Sequence, residues 1–177
     1  FLDLYSGSGQ IGIEALSRGA KRAVFVENNA ICVKIILKNL KKTHLESNSR
    51  VLNMKVLTGI KTLNGDNGFD IIYADPPYLN AINDFEAMVK SVSDNLLLNE
   101  GGIVILEHSS KDSPKEIVIN LKLKRSCKYG SVMVSFYENN DSILIVPIST
   151  DLLNSMKIIG KTIDIDLILQ TKNTYFF

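Results

Sequence analysis

Short apolar runs alternate with stretches of helical period along most of this chain, and that alternation leaves few architectures open. Phe1-Leu2-Asp3-Leu4, Ala23-Val24-Phe25-Val26, Val51-Leu52-Asn53-Met54, Phe69 to Ala74 and Ile103 to Leu106 each read as a strand, being short, largely apolar and mostly rich in β-branched or aromatic residues. Between them, a helix opens near Gln10 and runs to Ser17-Arg18, with Gly19 as its C-cap. A second covers about Ala30 to Leu40, with Ile31, Ile35 and the Leu37-to-Leu40 region at helical spacing. A helix or turn reaches Leu63, and another helix spans about Asn83 to Leu97 with Phe85, Met88, Val89, Val92 and Leu96 along one face. Asn99-Glu100-Gly101-Gly102 ends it. Strand–helix alternation of this kind packs as a parallel sheet with helices on both faces. Two closing runs, Leu121 to Lys128 and Val132 to Tyr137, meet at Tyr129-Gly130-Ser131. The expected fold is α/β, a mostly parallel seven-stranded sheet.

At the carboxyl end of the fourth strand stands Asp75-Pro76-Pro77-Tyr78. The prolines fix φ and lack an N–H, so the turn is stiff and its carbonyls project outward. An acid and a projecting carbonyl can both accept hydrogen bonds from the exocyclic amine of a flat heterocycle. That amine is a poor nucleophile while its lone pair is delocalised. Held by Asp75 and the Pro76 carbonyl it can pyramidalise toward an electrophile, with Tyr78 stacked on the ring. Asp75, Pro76 and Tyr78 are therefore the candidate catalytic residues. A bare proline-rich turn is the plainer reading, and a second motif decides against it.

That motif is Tyr5-Ser6-Gly7-Ser8-Gly9-Gln10-Ile11-Gly12, a strand-to-helix loop whose glycines allow close backbone approach to a ligand. Glu27, at the tip of the next strand, lies at the spacing from Gly9 where a carboxylate binds ribose hydroxyls. Gly7-x-Gly9-x-x-Gly12 also matches the dinucleotide fingerprint. Two features turn the choice away from a nicotinamide cofactor. Asp3 would repel a pyrophosphate but suits a cationic amino-acid moiety, and the Asp-Pro-Pro-Tyr motif has no part in hydride transfer. S-adenosyl-L-methionine (AdoMet), with an amino-acid end, a sulfonium and a ribose, fits both acids. The expected cofactor-binding set is Asp3, Ser6, Gly7 and Gly9, then Glu27 and Asn28, then Asn53 and Met54 beside the adenine. In sheets of this type ligands sit beyond the carboxyl ends of the strands, which gathers Asp3, Glu27 and Asp75 at one rim.

Several segments together carry a family resemblance. They are Asp3-Leu4-Tyr5-Ser6-Gly7-Ser8-Gly9, Gly12-Ile13-Glu14-Ala15-Leu16-Ser17-Arg18-Gly19-Ala20, Phe25-Val26-Glu27, Ala74-Asp75-Pro76-Pro77-Tyr78, Gly102 through Ser109, and Lys128-Tyr129-Gly130. In that order the chain resembles the bacterial 16S rRNA guanine-N2-methyltransferases, the small-subunit rRNA methyltransferase D group. The resemblance covers about residues 1–138 and implies a Rossmann-like class I AdoMet-dependent methyltransferase domain there, leaving 139–177 as a tail outside it. It implies a cytoplasmic, monomeric enzyme that methylates a guanine of 16S rRNA in an assembled or nearly assembled small ribosomal subunit. Relatives in this group carry an upstream basic hairpin and helix, so a chain that opens at Phe1, within the first strand, is expected to be truncated. The group usually has an acid where Lys55 follows the third strand, and lysine cannot accept a hydrogen bond from the adenine amine. Ser142-Ile143-Leu144-Ile145-Val146 and Ile163 to Leu169 in the tail have strand character but no motif.

Composition narrows the field further. A net charge of +1 is low for a partner of RNA, but the cations are unevenly spread. Lys34, Lys38, Lys41, Lys42, Arg50, Lys55 and Lys61 crowd the first half, while Lys122, Lys124, Arg125 and Lys128 lie on the closing hairpin and are the expected RNA contacts. No run is long and apolar enough to span a bilayer, so no membrane partner is expected. Cys32 and Cys127 are isolated, as are His44 and His108, and no metal spacing is present. Two other readings stand beside guanine methylation: an adenine-N6 methyltransferase acting on DNA or RNA, whose amine the Asp-Pro-Pro-Tyr motif also suits, and an inactive truncated relative that keeps the fold.

Overall fold

A computed structural model describes residues 1–77 and 81–140. Eight strands and four α-helices follow one another as β1 (Leu2–Leu4), α1 (Gln10–Ser17), β2 (Ala23–Glu27), α2 (Ala30–Thr43), β3 (Ser49–Asn53), α3 (Val56–Thr62), β4 (Phe69–Ala74), α4 (Ala81–Asp94), β5 (Leu98–Ser109), β6 (Ile117–Val118), β7 (Leu121–Tyr129) and β8 (Val132–Asn139). They form one sheet in the order β3-β2-β1-β4-β5-β8-β7-β6. The first five strands pair in parallel, and β8, β7 and β6 add antiparallel rungs.

The α/β reading stands, and the strand count does not. The sheet is mixed and has eight strands where seven, mostly parallel, were expected. The addition is β6, a two-residue strand too short to leave a periodic pattern. β5 is also longer than expected. Residues 98–102, which resemble a helix-ending loop, belong to the strand. Phe69 pairs with Leu98 but Ile71 with Ile103, so β5 accommodates three more residues than β4 between those rungs. The possible strands at 142–146 and 163–169 lie outside the described residues, as does Tyr78.

Strand alternation divides the core in two. Leu2, Leu4, Val24, Val26, Ile72, Ala74, Val104 and Leu106 point to the side covered by α3 and α4, meeting Val56, Ile60, Phe85, Met88, Val89 and Val92. On the other side Phe25 packs with Leu16, Ile36 and Leu40 of α1 and α2. Two expected stripes are redrawn. On α2 the buried positions are Ile36 and Leu40, while Ile31 is 70% exposed. Leu96, expected on the α4 stripe, lies beyond the helix end at φ 52° and is 77% exposed. A sequence pattern gives the period of a helix, and the packing of its neighbours decides the phase.

Gly59 lets α3 lie close on β2. A Cβ placed there would stand 2.6 Å from Val26 Cγ1. In an open helix Gly→Ala is stabilising by about 1 kcal/mol. Here the collision reverses the sign, and Gly59→Ala is expected to cost about 1–3 kcal/mol, read as a lower denaturation midpoint at unchanged slope. A raised midpoint would show that α3 can lift off the sheet freely.

Candidate active site

The rim is built from the carboxyl ends of β1, β2 and β4. After β1 the chain turns sharply, with Tyr5 at φ 61°, Gly7 at 53° and Gly9 at 78° before α1 begins. Left-handed backbone favours glycine, and Tyr5 holds it at a cost. The loop is fastened by side chains beneath and beside it. Gly12 N–H donates to Asp3 Oδ2 at 2.9 Å, and Gly7 N–H to Glu27 Oε2 at 2.8 Å. Ser6 Oγ donates to the Asp3 carbonyl at 2.7 Å, and Ser6 N–H to the Val26 carbonyl at 3.2 Å. A Cβ on Gly12 would collide with Phe25 Cε1 at 2.3 Å, so only glycine lets α1 start here.

Asp3 is 2% exposed. Burial pushes its carboxyl up to about 7, against the Gly12 N–H bond, and the nearby Asp75 and Glu27 charges push the same way. The sequence assigns Asp3 to a ligand's cationic end; the structure sets it under the loop, holding the start of α1. Glu27 stands at the β2 tip and spans two amides, since its Oε1 also accepts from Asn29 N–H at 2.7 Å.

Beside Glu27 opens a cavity of about 580 Å³, lined by Tyr5, Val26, Glu27, Asn28, Asn29, Lys55, Val56, Leu57, Thr58, Asp75 and Pro77. Glu27 and Asn28 are thus on its wall. Asn53 and Met54 instead tie β3 to β2. Asn53 Nδ2 donates to the carbonyls of Glu27 and Asn28 at 3.0 and 3.2 Å, and Met54 N–H to Glu27 at 3.0 Å. The wall is made by the next four residues, Lys55 to Thr58. Tyr5, Asn29, Leu57 and Thr58 were missed by the motif reading, since nothing in their identities marks them; the turn after β1 brings Tyr5 to the cavity, the start of α2 brings Asn29, and the start of α3 brings Leu57 and Thr58.

Asp75 directly follows β4 and lines the same cavity, with Pro76 buried and Pro77 exposed. Partial burial and then the Glu107 charge push its carboxyl up to about 6. Tyr73 Oη donates to Glu107 Oε2 at 2.5 Å, and burial, followed by that bond, holds the Tyr73 phenol above its ordinary value.

The hairpin cations are split by the sheet. Lys128 lies opposite Met133, and Met133 opposite His108, so Lys128 stands at the rim end of the strands. Lys122 lies at the other end, opposite Glu138. Lys124 there pairs with Glu138 at 2.6 Å, and Arg125 lies 3.9 Å over the Phe136 ring. His108 is fully buried between Ser135 Oγ and the Ser109 carbonyl. Among the described residues no cluster of His, Cys, Asp and Glu could hold a metal, and no helix is long and apolar enough to cross a membrane.

A protein family described as Conserved hypothetical protein 95 matches residues 1–138. Ribosomal RNA small subunit methyltransferase D of Haemophilus influenzae is 30% identical over 139 residues, covering 78% of this chain and 70% of its own. The protein of the same description from Escherichia coli K12 is 27% identical, covering 77% and 67%. A solved structure described as a conserved hypothetical protein of Streptococcus pyogenes superposes with a TM-score of 0.72 at 32% identity, over 78% of this chain and 84% of that one.

The buried Asp3 carboxylate has a thermodynamic signature. Its folded-state pKa is raised, so the folded state loses stability as pH climbs from the ordinary carboxylate range toward 7. The loss is on the order of a few kcal/mol once Asp3 is ionised. Asp3→Asn keeps an acceptor for Gly12 N–H and removes the charge. Its melting temperature should fall less between pH 5 and 8 than that of the wild type; parallel curves would mean the charge carries no such cost.

Proposed function

The chain belongs to the Conserved hypothetical protein 95 family, and we propose that it methylates the exocyclic N2 amine of a guanine in 16S rRNA. We place that activity in residues 1–138, the span the family matches, and take the small ribosomal subunit as the substrate particle. The observation that carries the reading is the position of Asp75 on the wall of the same cavity as Glu27. An amine acceptor and a ribose-binding carboxylate thereby face one space.

The cavity fits AdoMet. Its volume lies in the range of small-molecule sites, Val26, Val56 and Leu57 offer apolar flanks for an adenine, and Glu27 can accept from ribose hydroxyls. Asp3, Glu27 and Asp75 together favour a cationic ligand, because the Asp75 and Glu27 charges both raise the cost of ionising Asp3. Lys55 lines the cavity without supplying an acceptor for the adenine amine. When bound, AdoMet supplies an electrophilic methyl group.

The chain's own residues do the rest by position. A target guanine leaves its stack to reach the rim, as bases do for enzymes that act on them. Asp75 and the Pro76 carbonyl accept the two amine protons, which frees the N2 lone pair, and Tyr78 stacks on the ring. Asp75, with its raised affinity for protons, then takes the proton the methylated nitrogen sheds. Lys128 is the hairpin cation placed to meet phosphate beside that guanine.

The direct test is transfer from labelled AdoMet to small subunits lacking the modification, followed by nuclease digestion and identification of the nucleoside. N2-methylguanosine is expected; N6-methyladenosine would replace the reading with the adenine one. Asp75→Ala should abolish transfer while leaving the circular dichroism spectrum unchanged. The acid limb of kcat/KM should fall near pH 6, since protonated Asp75 no longer accepts from the amine. Activity that stays flat down to pH 4.5 would exclude Asp75 from that task.

A further inference from the structure

Glu107 stands at the same rim with no task in the chemistry above. Ala74 lies opposite Leu106 in the parallel β4–β5 ladder, so Asp75 and Glu107 emerge side by side from adjacent strands. Neighbouring strands run ~4.8 Å apart. Glu107 is half-buried, and no lysine or arginine among the described residues pairs with it. Its Oε2 is held by the Tyr73 hydroxyl at 2.5 Å, while Oε1 meets no donor among the described residues. The Tyr73 bond fixes the carboxylate's direction. A half-buried carboxylate beside a second one, without a cation, is unfavourable in the free protein. A ligand that brings a donor to each of the two relieves it.

Guanine carries two adjacent donors on one edge, the ring N1–H and the N2 amine. Adenine carries an amine beside a bare N1 lone pair, which a carboxylate repels. We propose that Glu107, oriented by Tyr73, accepts the N1–H of the target guanine while Asp75 accepts from N2, and that Glu107 thereby sets the preference for guanine. This rests on the guanine-N2 reading. It adds a specificity-determining residue to a site whose other acceptor, Asp75, would serve either amine.

The test uses small subunits whose 16S rRNA carries either guanine or 2-aminopurine at the methylated position. 2-Aminopurine keeps the reacting amine, replaces N1–H by a lone pair and lacks the 6-oxo group, so the change in ratio on Glu107→Gln is what reads the N1 contact. The wild-type chain should favour guanine in kcat/KM by roughly tenfold or more, the scale of one well-made base contact. Glu107→Gln, nearly isosteric, can turn its amide to accept from guanine or to donate to 2-aminopurine. It should bring the ratio of the two substrates close to one. A wild-type enzyme that makes N2-methylguanosine without favouring guanine over 2-aminopurine overturns the role of Glu107 alone. Equal losses on both substrates in Glu107→Gln, down to complete inactivity, also overturn it, because a purely structural residue gives that result. Absence of N2-methylguanosine from the wild type removes the guanine reading, and this inference with it.

Discussion

Two carboxylate-to-amide contacts hold the working end of this protein together. Asp3 receives Gly12 N–H from below, and Glu27 receives Gly7 N–H from the side. Between them they fix a loop whose backbone passes three times through left-handed geometry, at Tyr5, Gly7 and Gly9. Such a loop has little intrinsic preference for one shape, so the acceptors supply it. The start of α1 and the course of the loop that carries Tyr5 to the cavity follow from those contacts.

The same acids give the rim its electrostatic character. Asp3, Glu27, Asp75 and Glu107 gather where four parallel strands end, and two of them titrate well above the ordinary carboxylate range. Such crowding opposes stability and is a common mark of a functional site. In the reaction we propose, it suits a cationic ligand on one side of Asp75 and a hydrogen-bond-donating base on the other. Asp75 lies between β1, which anchors the glycine loop, and β5, which carries Glu107, and can therefore serve both.

Much of the site was legible because its residue types have few other uses. Asp75-Pro76-Pro77 needs a stiff turn with outward carbonyls, and Gly7, Gly9 and Gly12 need positive φ or the absence of a side chain. Such requirements are local and survive in the sequence. The cavity wall from Val56 to Thr58 was not legible, since ordinary residues became lining only through the angle of α3, whereas Lys55 beside them was marked by the family resemblance. The hairpin cations show the same limit. Four basic residues close in sequence spread along a nine-residue strand, and only the end bearing Lys128 reaches the rim.

By itself the sequence determined the α/β alternation, the glycine loop and the proline-stiffened turn after β4, because each depends on backbone conformations or side-chain periods that neighbouring residues dictate. The tertiary structure decided what depends on pairing between distant segments. The register of β4 against β5 set Glu107 beside Asp75, the register of β7 against β8 divided the cations, and burial under the loop changed Asp3 from a surface acid into a structural acceptor. Register is fixed by the cooperative packing of whole strands, and no short stretch of chain carries that information alone.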